Sequence, residues 1–533
     1  MAVSLWDAMN FILYSAVHDN LTRQTVGHPQ YDYAFILQAY RRVLGSFGSV
    51  HIVASIAEVN PLVRRLSQER QESIFLSFAA PHDTPTDLSC PTICVMAWEF
   101  DSIPTGQESS DPQQDWRRIL GIHGRVITLS SHAARAIRKA LGEDFPVLVL
   151  PVPLWQAFAI AGDPVQPVPI NPGTTVDITG CILDTRVLGL HADDLLPPVP
   201  TAEELARIEA LKPPPLTPHR RFIIAKHYLR AWIRDVVRGP SLPERGHRIQ
   251  YLKQWYWEGV QDLLSDTLRS RLARYLPGVA GPLPIPAPPA LDLPDLGQRA
   301  ETRVDGVVYI SVFDPKDGRS NWPRLISAFC WAFRETSDAT LVLRITQADL
   351  AAYYVEVLTV LRQLSPFACR VLVLHGELDE SQSARLYQAA SFYVNASHCE
   401  GVCLPVMEFM ARGTPAIAPD HSAMEDYIDE TVAFVVKSSA EPAAWPQDVR
   451  TLYRTRQYRP DWGSLKIAFQ QSYAMAKEHP QAYEAMSGAA IARMHDYCLV
   501  TSWQPRLLAF LGRPMVGEVE TASAVNVADN ASC

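Results

Sequence analysis

The sequence predicts an α/β protein with two parallel-sheet domains and a proline-rich, helical insertion between them. Two observations carry this. Short continuous apolar runs alternate with helical patterns over 1–150 and again from 305 onward, as in a parallel sheet covered on both faces. Proline is also skewed: of 42 prolines in 533 residues, 22 lie between Pro151 and Pro294. The chain is thereby divided into 1–151, 152–304 and 305–513, with a small, polar tail over 514–533 that reads as disordered.

In the first part the expected strands are Phe11–Ser15, Val50–Val53, Ile74–Phe78, Thr92–Ala97, Arg125–Leu129 and Val147–Leu150. Helices are expected over Tyr33–Leu44, Pro61–Ser67, Asp115–Leu120 and Ala133–Leu141. Open parallel sheets bind ligands beyond the carboxyl ends of their strands. The candidates are therefore Asp19 after the first strand, Trp98 and Glu99 after the fourth, and Ser131 after the fifth. Glu99 beside Trp98 reads either as a carboxylate in a partly apolar cleft or as a solvated loop residue. Ser131 reads either as a cleft residue or as the cap of the helix that follows. No G-x-G-x-x-G follows the first strand, which argues against a dinucleotide-dependent oxidoreductase.

The middle part has extended linkers at Pro197–Pro200, Pro213–Pro215 and Pro282–Pro294. Between them, Phe222–Val237 and Tyr251–Leu276 keep a helical period. Lys226, Arg230, Arg234 and Arg238 lie beside the apolar positions of the first. Residues 222–238 can therefore be a basic amphipathic helix on an anionic membrane surface or half of a helical pair packed on the protein.

Composition excludes several classes. With 47% hydrophobic and 20% charged residues the chain can bury a large core and is not disordered throughout. A net charge of −9 and a pI near 5.9 argue against nucleic acid as a partner. No apolar run is long enough to span a bilayer, and the N-terminus reads as a first strand rather than a secretory signal. Nine cysteines without a CxxC pair point to free thiols in a reducing cytoplasm and to no metal site.

The third part repeats the alternation. Strands are expected at Gly306–Ser311, Leu341–Ile345, Arg370–Leu374, Phe392–Val394 and Pro415–Ala418, with helices at Trp322–Phe333, Ala348–Leu364, Glu380–Ala390 and Val406–Arg412. The most informative segment runs from Asn395 to Pro415. Gly401 lets backbone approach closely, and the amides of Gly401, Val402, Cys403 and Leu404 at a helix N-terminus make an anion site suited to a phosphate. Pro405 loses nothing in the first turn. Glu400 and Glu408, eight residues apart, can accept from two sets of hydroxyls at the two ends of a nucleotide-sugar.

Residues 400–415 read E-G-V-C-L-P-V-M-E-F-M-A-R-G-T-P. This resembles the E-x7-E signature of retaining GT-B glycosyltransferases, above all glycosyltransferase family 4, whose pattern is roughly E-G-F-G-L-P-x-x-E-A-M-A-x-G-x-P. Ala416–Ala418 followed by Glu425, the upstream His375-Gly376-Glu377, and Leu386–Phe392 extend the likeness. It is close over about 305–440, looser over 1–150 and absent from the middle.

The resemblance implies a GT-B fold of two facing Rossmann-like domains, the first on the acceptor side and the second on the donor side. It implies that Glu408 binds the donor ribose and that Glu400 contacts the transferred sugar. Arg319 or Lys316 would hold the diphosphate, with Ser311 at the end of the preceding strand beside the donor. Three features depart from the family: Ser320 stands where its lysine aligns best, Ser15–Asn20 replace its glycine-rich turn, and Trp98-Glu99 replace its histidine.

The expected activity is hexose transfer with retention from a nucleotide-diphosphate sugar to a glycan or glycolipid, by front-face attack, with no cofactor or metal. The family suggests a role in polysaccharide or lipopolysaccharide synthesis, in the cytoplasm or at the inner face of the membrane. A GT-B nucleotide-sugar 2-epimerase and a non-catalytic GT-B-like scaffold are the alternatives.

Overall fold

The computed structural model describes residues 9–16, 29–46, 48–105, 114–155, 167–195, 296–446, 448 and 450–512, with scattered residues between 196 and 294. The first domain is a six-stranded, all-parallel sheet of β1 (Met9–Tyr14), β2 (Ser49–Ile52), β3 (Glu72–Phe78), β4 (Thr92–Met96), β5 (Val126–Thr128) and β6 (Val147–Val149), in the order 2-1-3-4-5-6. Helices α1 (Pro29–Leu44), α2 (Val59–Gln68), α3 (Trp116–His123) and α4 (Ser131–Leu141) connect these strands. Phe11, Leu13, Phe78 and Val95 are fully buried, which is why these strands read as unbroken apolar runs.

The second sheet has seven strands: β7 (Asn171–Asp184), β8 (Arg299–Phe313), β9 (Ala339–Ile345), β10 (Arg370–Glu377), β11 (Phe392–Val394), β12 (Ala416–Ala418) and β13 (Ala433–Val435). Its parallel part runs β13-β12-β11-β8-β9-β10. Strand β7 is antiparallel, pairing with the first half of β8 and then with β10. Helices α6 (Trp322–Ala332), α7 (Tyr354–Leu364), α8 (Glu380–Ala389) and α9 (Leu404–Ala411) alternate with the strands.

Proline density alone sets the insertion at 152–304, and the structure corrects both limits. Residues 171–184 and 299–304 are sheet strands of the second domain, and the separate compact unit is 196–292. A proline count does not distinguish a linker from a strand edge, and β7 carries only one proline, Pro172, next to its start. The expected helices at 322–333 and 348–364 are shortened to 322–332 and 354–364; a short helical turn at Leu350–Ala352 precedes the second.

A two-stranded sheet of β14 (Ser438–Ala443) and β15 (Thr455–Pro460) and three C-terminal helices complete the second domain. The helices are α10 (Trp462–Glu478), α11 (Pro480–Cys498) and α12 (Val500–Leu511). Helix α12 returns to the first domain, where Arg125 Nη1 donates to the carbonyls of Phe510 and Leu511 at 3.1 Å.

The two sheets share one compact unit and are joined by hydrogen bonds from the segments that follow β4 and β5. Arg456 Nε donates to Asp101 Oδ2 at 2.6 Å, Trp445 Nε1 to the Ser102 carbonyl at 3.1 Å, and the Ser131 N–H to Asp426 Oδ2 at 2.8 Å.

Within the 196–292 unit, helix α5 (Pro218–Trp232) is capped by Thr217, whose Oγ1 accepts from the Arg220 N–H at 3.4 Å. It packs against the turn Trp255–Val260. Phe222 and Ile223 are exposed. Among the described residues no helix is long and apolar enough to cross a membrane. All described cysteines are free thiols, and all but Cys90 are buried.

Candidate functional site

The loop from β11 to α9 builds the site. Glu400 is 8% exposed, and one of its carboxylate oxygens is already held: Oε1 accepts from Asn395 Nδ2 at 3.1 Å and Ser397 Oγ at 2.7 Å. Its N–H donates to Ser422 Oγ at 2.9 Å. The other oxygen, Oε2, faces Arg319, whose Nη1 lies 3.7 Å away. Glu400 is thus a positioned acceptor with one oxygen turned toward a cation.

Cys403 adopts a left-handed backbone (φ 60°) that swings the chain into α9, and Pro405 occupies the second helical position, where its missing N–H costs no intrahelical bond. The N–H groups of Gly401, Val402 and Cys403 meet no acceptor among the described residues, and that of Leu404 begins the helix. Four amides at a helix N-terminus are therefore available for an anion.

Gly401 also permits a close contact with the first domain. A Cβ there would come within 3.1 Å of the Ala97 Cβ and 3.5 Å of the Trp98 nitrogen. The signature loop therefore sits directly against the carboxyl end of β4.

The loop after β8 is a turn organised by two aspartates. Asp314 Oδ1 accepts from the Lys316 N–H at 2.8 Å, and Asp317 Oδ1 from the Arg319 and Ser320 N–H groups at 3.0 Å. This turn separates the two candidate cations. Lys316 Nζ pairs with Glu356 on α7 at 3.0 Å on the exposed side, so the structure does not bring it to Glu400. Arg319 faces Glu400 and is steadied by Asp317 at 3.2 Å. The Arg319 carbonyl accepts from the His398 N–H at 2.8 Å, tying the turn to the signature loop. Ser320 is a turn residue whose Oγ donates to the Asp314 carbonyl at 3.2 Å. Ser311 is buried within β8, paired in register with Leu343.

Glu99 belongs to this group. Burial raises its pKa above the ordinary carboxylate range, and the charges of Glu400 and Asp317 add to the rise, while Arg319 opposes it. An acid from the first domain thus lies within electrostatic reach of the Arg319–Glu400 pair.

Trp98, expected in the cleft, is instead a core residue. Its ring packs on Phe100 and Trp116 with centroids 5.2 and 4.4 Å away, and its Nε1 donates to the Ser102 carbonyl at 2.8 Å. Ser131 does not cap α4; Ser130 does, its Oγ accepting from the Ala133 N–H at 3.3 Å. Ser131 bonds to Asp426 of the second domain through both its N–H and its hydroxyl. Asp19 lies outside the described residues.

Glu408, on the outward side of α9, accepts from Tyr387 OH at 2.6 Å. Burial raises its pKa, and the hydrogen bond from Tyr387 and the charge of Arg412 offset part of that. Beside it lies a cavity of about 540 Å³, a ligand-sized volume. Its walls come from the carboxyl ends of β8, β9 and β10 and from α8 and α9, with Arg344, Glu377 and Tyr387 among them. The sequence reading passed over Arg344, Tyr387 and Ser422. Arg344 had left a signal, as the single charge inside the apolar strand Leu341–Ile345.

Two Rossmann-like α/β sheets in one chain define the GT-B class of fold. Residues 370–466 match the family Glycosyl transferases group 1. This stretch holds β10 through the start of α10 and contains both Glu400 and Glu408. No curated protein matches the chain. Among solved structures, sucrose-phosphate synthase from Thermosynechococcus elongatus is 12% identical, with a TM-score of 0.41 and coverage of 94% of this chain and 98% of that one. Anabaena HepE in complex with UDP-glucose is 10% identical, with a TM-score of 0.42 and coverage of 94% and 99%. The pneumococcal O-GlcNAc transferase GtfA, in complex with UDP and GlcNAc, is 9% identical, with a TM-score of 0.39 and coverage of 85% and 60%.

Proposed function

We propose that this protein is a retaining glycosyltransferase that moves a hexose from a nucleotide-diphosphate sugar to a glycan or glycolipid acceptor in polysaccharide or lipopolysaccharide synthesis. One observation carries the reading: Arg319 lies 3.7 Å from the held carboxylate of Glu400, the residue that leads into four available amides. In this reading Glu408 takes the ribose hydroxyls and the amides of Gly401 to Leu404 take the diphosphate. Glu400 orients the sugar, and Glu99 faces the acceptor.

The chemistry follows from charge. As the glycosidic C–O bond breaks, negative charge grows on the diphosphate. Arg319 and the helix N-terminus stabilise it without reorganising, which lowers the barrier without a metal. The acceptor oxygen attacks from the face the diphosphate leaves, its proton passing to the departing phosphate, and the anomeric configuration is retained. Lys316 contributes only to the general field of the loop.

Calorimetric titration of the donor nucleotide tests this in Glu408→Ala and Arg319→Ala. Affinity should fall at least tenfold in both, whereas wild-type affinity in both variants would end the assignment. Epimerised donor without acceptor product would point to the 2-epimerase instead.

Peripheral membrane contact through 222–238 is part of the proposal. Its support is that Phe222 and Ile223 are exposed on a helix that also carries Arg220, Arg221, Lys226 and Arg230; residues 235–238 lie outside the described residues. Co-sedimentation with anionic but not neutral liposomes is expected, and its loss in Phe222→Ser together with Ile223→Ser is the check.

A further inference from the structure

The cavity beside Glu408 ends on a buried cation. Arg344 is only 7% exposed, yet it lines the cavity. Of its five N–H donors, one, on Nη1, meets a protein acceptor among the described residues, the carbonyl of Ile345. Burial pushes its pKa down to about 10, so it remains charged at neutral pH. A guanidinium in this state, with its Nε–Nη2 edge open, lacks a partner that a ligand can supply.

Glu377, at the end of β10, lines the same cavity and lies within the electrostatic reach of Arg344. Three of the other polar groups of the wall, Gln382, Asp379 and Tyr387, have protein partners. Gln382 donates to Asp177 and accepts from the Asp379 N–H, and Asp379 accepts from the Gln382 N–H at 2.8 Å and from Ser381 Oγ at 2.7 Å. Tyr387 is committed to Glu408. The cavity thus offers a ligand a planar donor fork and a carboxylate from the ends of β9 and β10, the hydroxyls of Thr179, Thr346 and Ser383, and Glu408 from α9.

We propose that Arg344 and Glu377 recognise guanine, making the donor a guanosine-diphosphate sugar. This rests on the glycosyltransferase reading, which puts the ribose at Glu408 and hence the base toward β9 and β10. Guanine places two acceptors, O6 and N7, side by side for an arginine fork, and the donors N1–H and N2–H2 side by side for a carboxylate. The two edges adjoin at O6, and both side chains line the one cavity. Adenine would set an amino donor against the arginine, uracil has a single carbonyl and N–H to offer on that side, and cytosine lacks the donor pair.

The test is calorimetric titration of the full chain with GDP, UDP, ADP, CDP and inosine diphosphate, which lacks the 2-amino group. GDP should bind at least tenfold more tightly than UDP, ADP and CDP, and several-fold more tightly than inosine diphosphate. Arg344→Met should bring GDP to the level of the other three while moving those by less than threefold. Glu377→Ala, at an exposed position where folding is not at stake, should bring GDP and inosine diphosphate within threefold of each other. Equal or tighter binding of UDP, ADP or CDP overturns the guanine assignment and leaves the donor site standing. Failure of every diphosphate to bind overturns the donor site and this inference with it.

Discussion

The hydroxyl of Tyr387 donates to Glu408 Oε2 at 2.6 Å, so the carboxylate read as the ribose ligand is itself oriented by a neighbouring helix. Helices α8 and α9 are locked together there. The Tyr387 ring packs on Phe409 with centroids 4.7 Å apart, and the Arg412 guanidinium lies 3.9 Å above its centroid. These contacts survive loss of the hydroxyl. Tyr387→Phe should therefore fold normally and raise KM for the donor about tenfold, for one lost charge-assisted bond, with kcat little changed. The effect has a pH signature. Burial already raises the Glu408 pKa and the Tyr387 bond lowers it, so removing the bond raises it further. The variant loses carboxylate as pH falls before wild type does, and its KM defect should be larger at pH 6 than at pH 8. Donor KM at both values checks this.

Gly401 couples the two domains. A methyl at this position must push the Ala97 Cβ, 3.1 Å away, by a few tenths of an ångström. Because Ala97 directly follows β4 and leads to Glu99, that displacement opens the gap between the signature loop and the Glu99 side. Gly401→Ala should lower kcat/KM for the acceptor by one to two orders of magnitude, since small misplacement at a reacting centre has large effects. Donor affinity should move by less than threefold. Steady-state kinetics with each substrate varied in turn separates the two.

The strands were legible because their chemistry is local. Fully buried parallel strands such as Ile93–Met96 are unbroken apolar runs, and Asn395 to Pro415 concentrates a strand, a glycine, two glutamates and a capped helix in one register. What escaped depends on distant partners. Strand β7 carries the buried Asp177, which is held by Arg299 of β8 and by Gln382 and Arg385 of α8, more than a hundred residues away in sequence. Ser130 and Ser131 are equivalent as caps in sequence; only the presence of Asp426 opposite one of them separates their roles. Lys316 and Arg319 are likewise two cations of one loop, and it is the fold of the Asp314–Asp317 turn that faces one to Glu356 and the other to Glu400. Arg344 was visible as a misfit charge, but nothing in the chain order indicates that it lines the same cavity as Glu408.

His421 makes the fold acid-sensitive. It is buried at 5% exposure, stacked on Tyr458 with centroids 4.5 Å apart, and its Nε2 meets no partner among the described residues. Burial pushes its pKa down to about 3, and the neighbouring His132 and His398 push the same way. In the unfolded chain it titrates near 6.5, so between about pH 6.5 and 3 the unfolded state binds a proton that the folded state does not. Stability must therefore fall as pH falls through that window. The loss from this one group is about 2 kcal/mol at pH 5. Chemical denaturation at pH 7.5 and 5.0 should show it, and His421→Gln should flatten the difference by a similar amount.

Ser422 positions the Glu400 backbone, and its own backbone is strained. Its Oγ accepts from the Glu400 N–H at 2.9 Å in a fully buried setting, and its φ of 52° lies in the left-handed region. Ser422→Ala removes the acceptor and keeps the strain, which leaves a buried amide unsatisfied at a cost of about 1–3 kcal/mol. Ser422→Gly removes the same acceptor but relieves the left-handed backbone, offsetting that cost by roughly 1 kcal/mol. Both variants free the signature loop at Glu400 equally. If Ser422 acts by holding that loop, kcat should fall by a similar factor of about ten to a hundred in both, while only the alanine variant melts clearly lower. If its role were stability alone, the glycine variant would recover activity along with its melting temperature. Paired measurement of kcat and Tm in the two variants decides between them, because strain relief moves Tm without restoring the lost hydrogen bond.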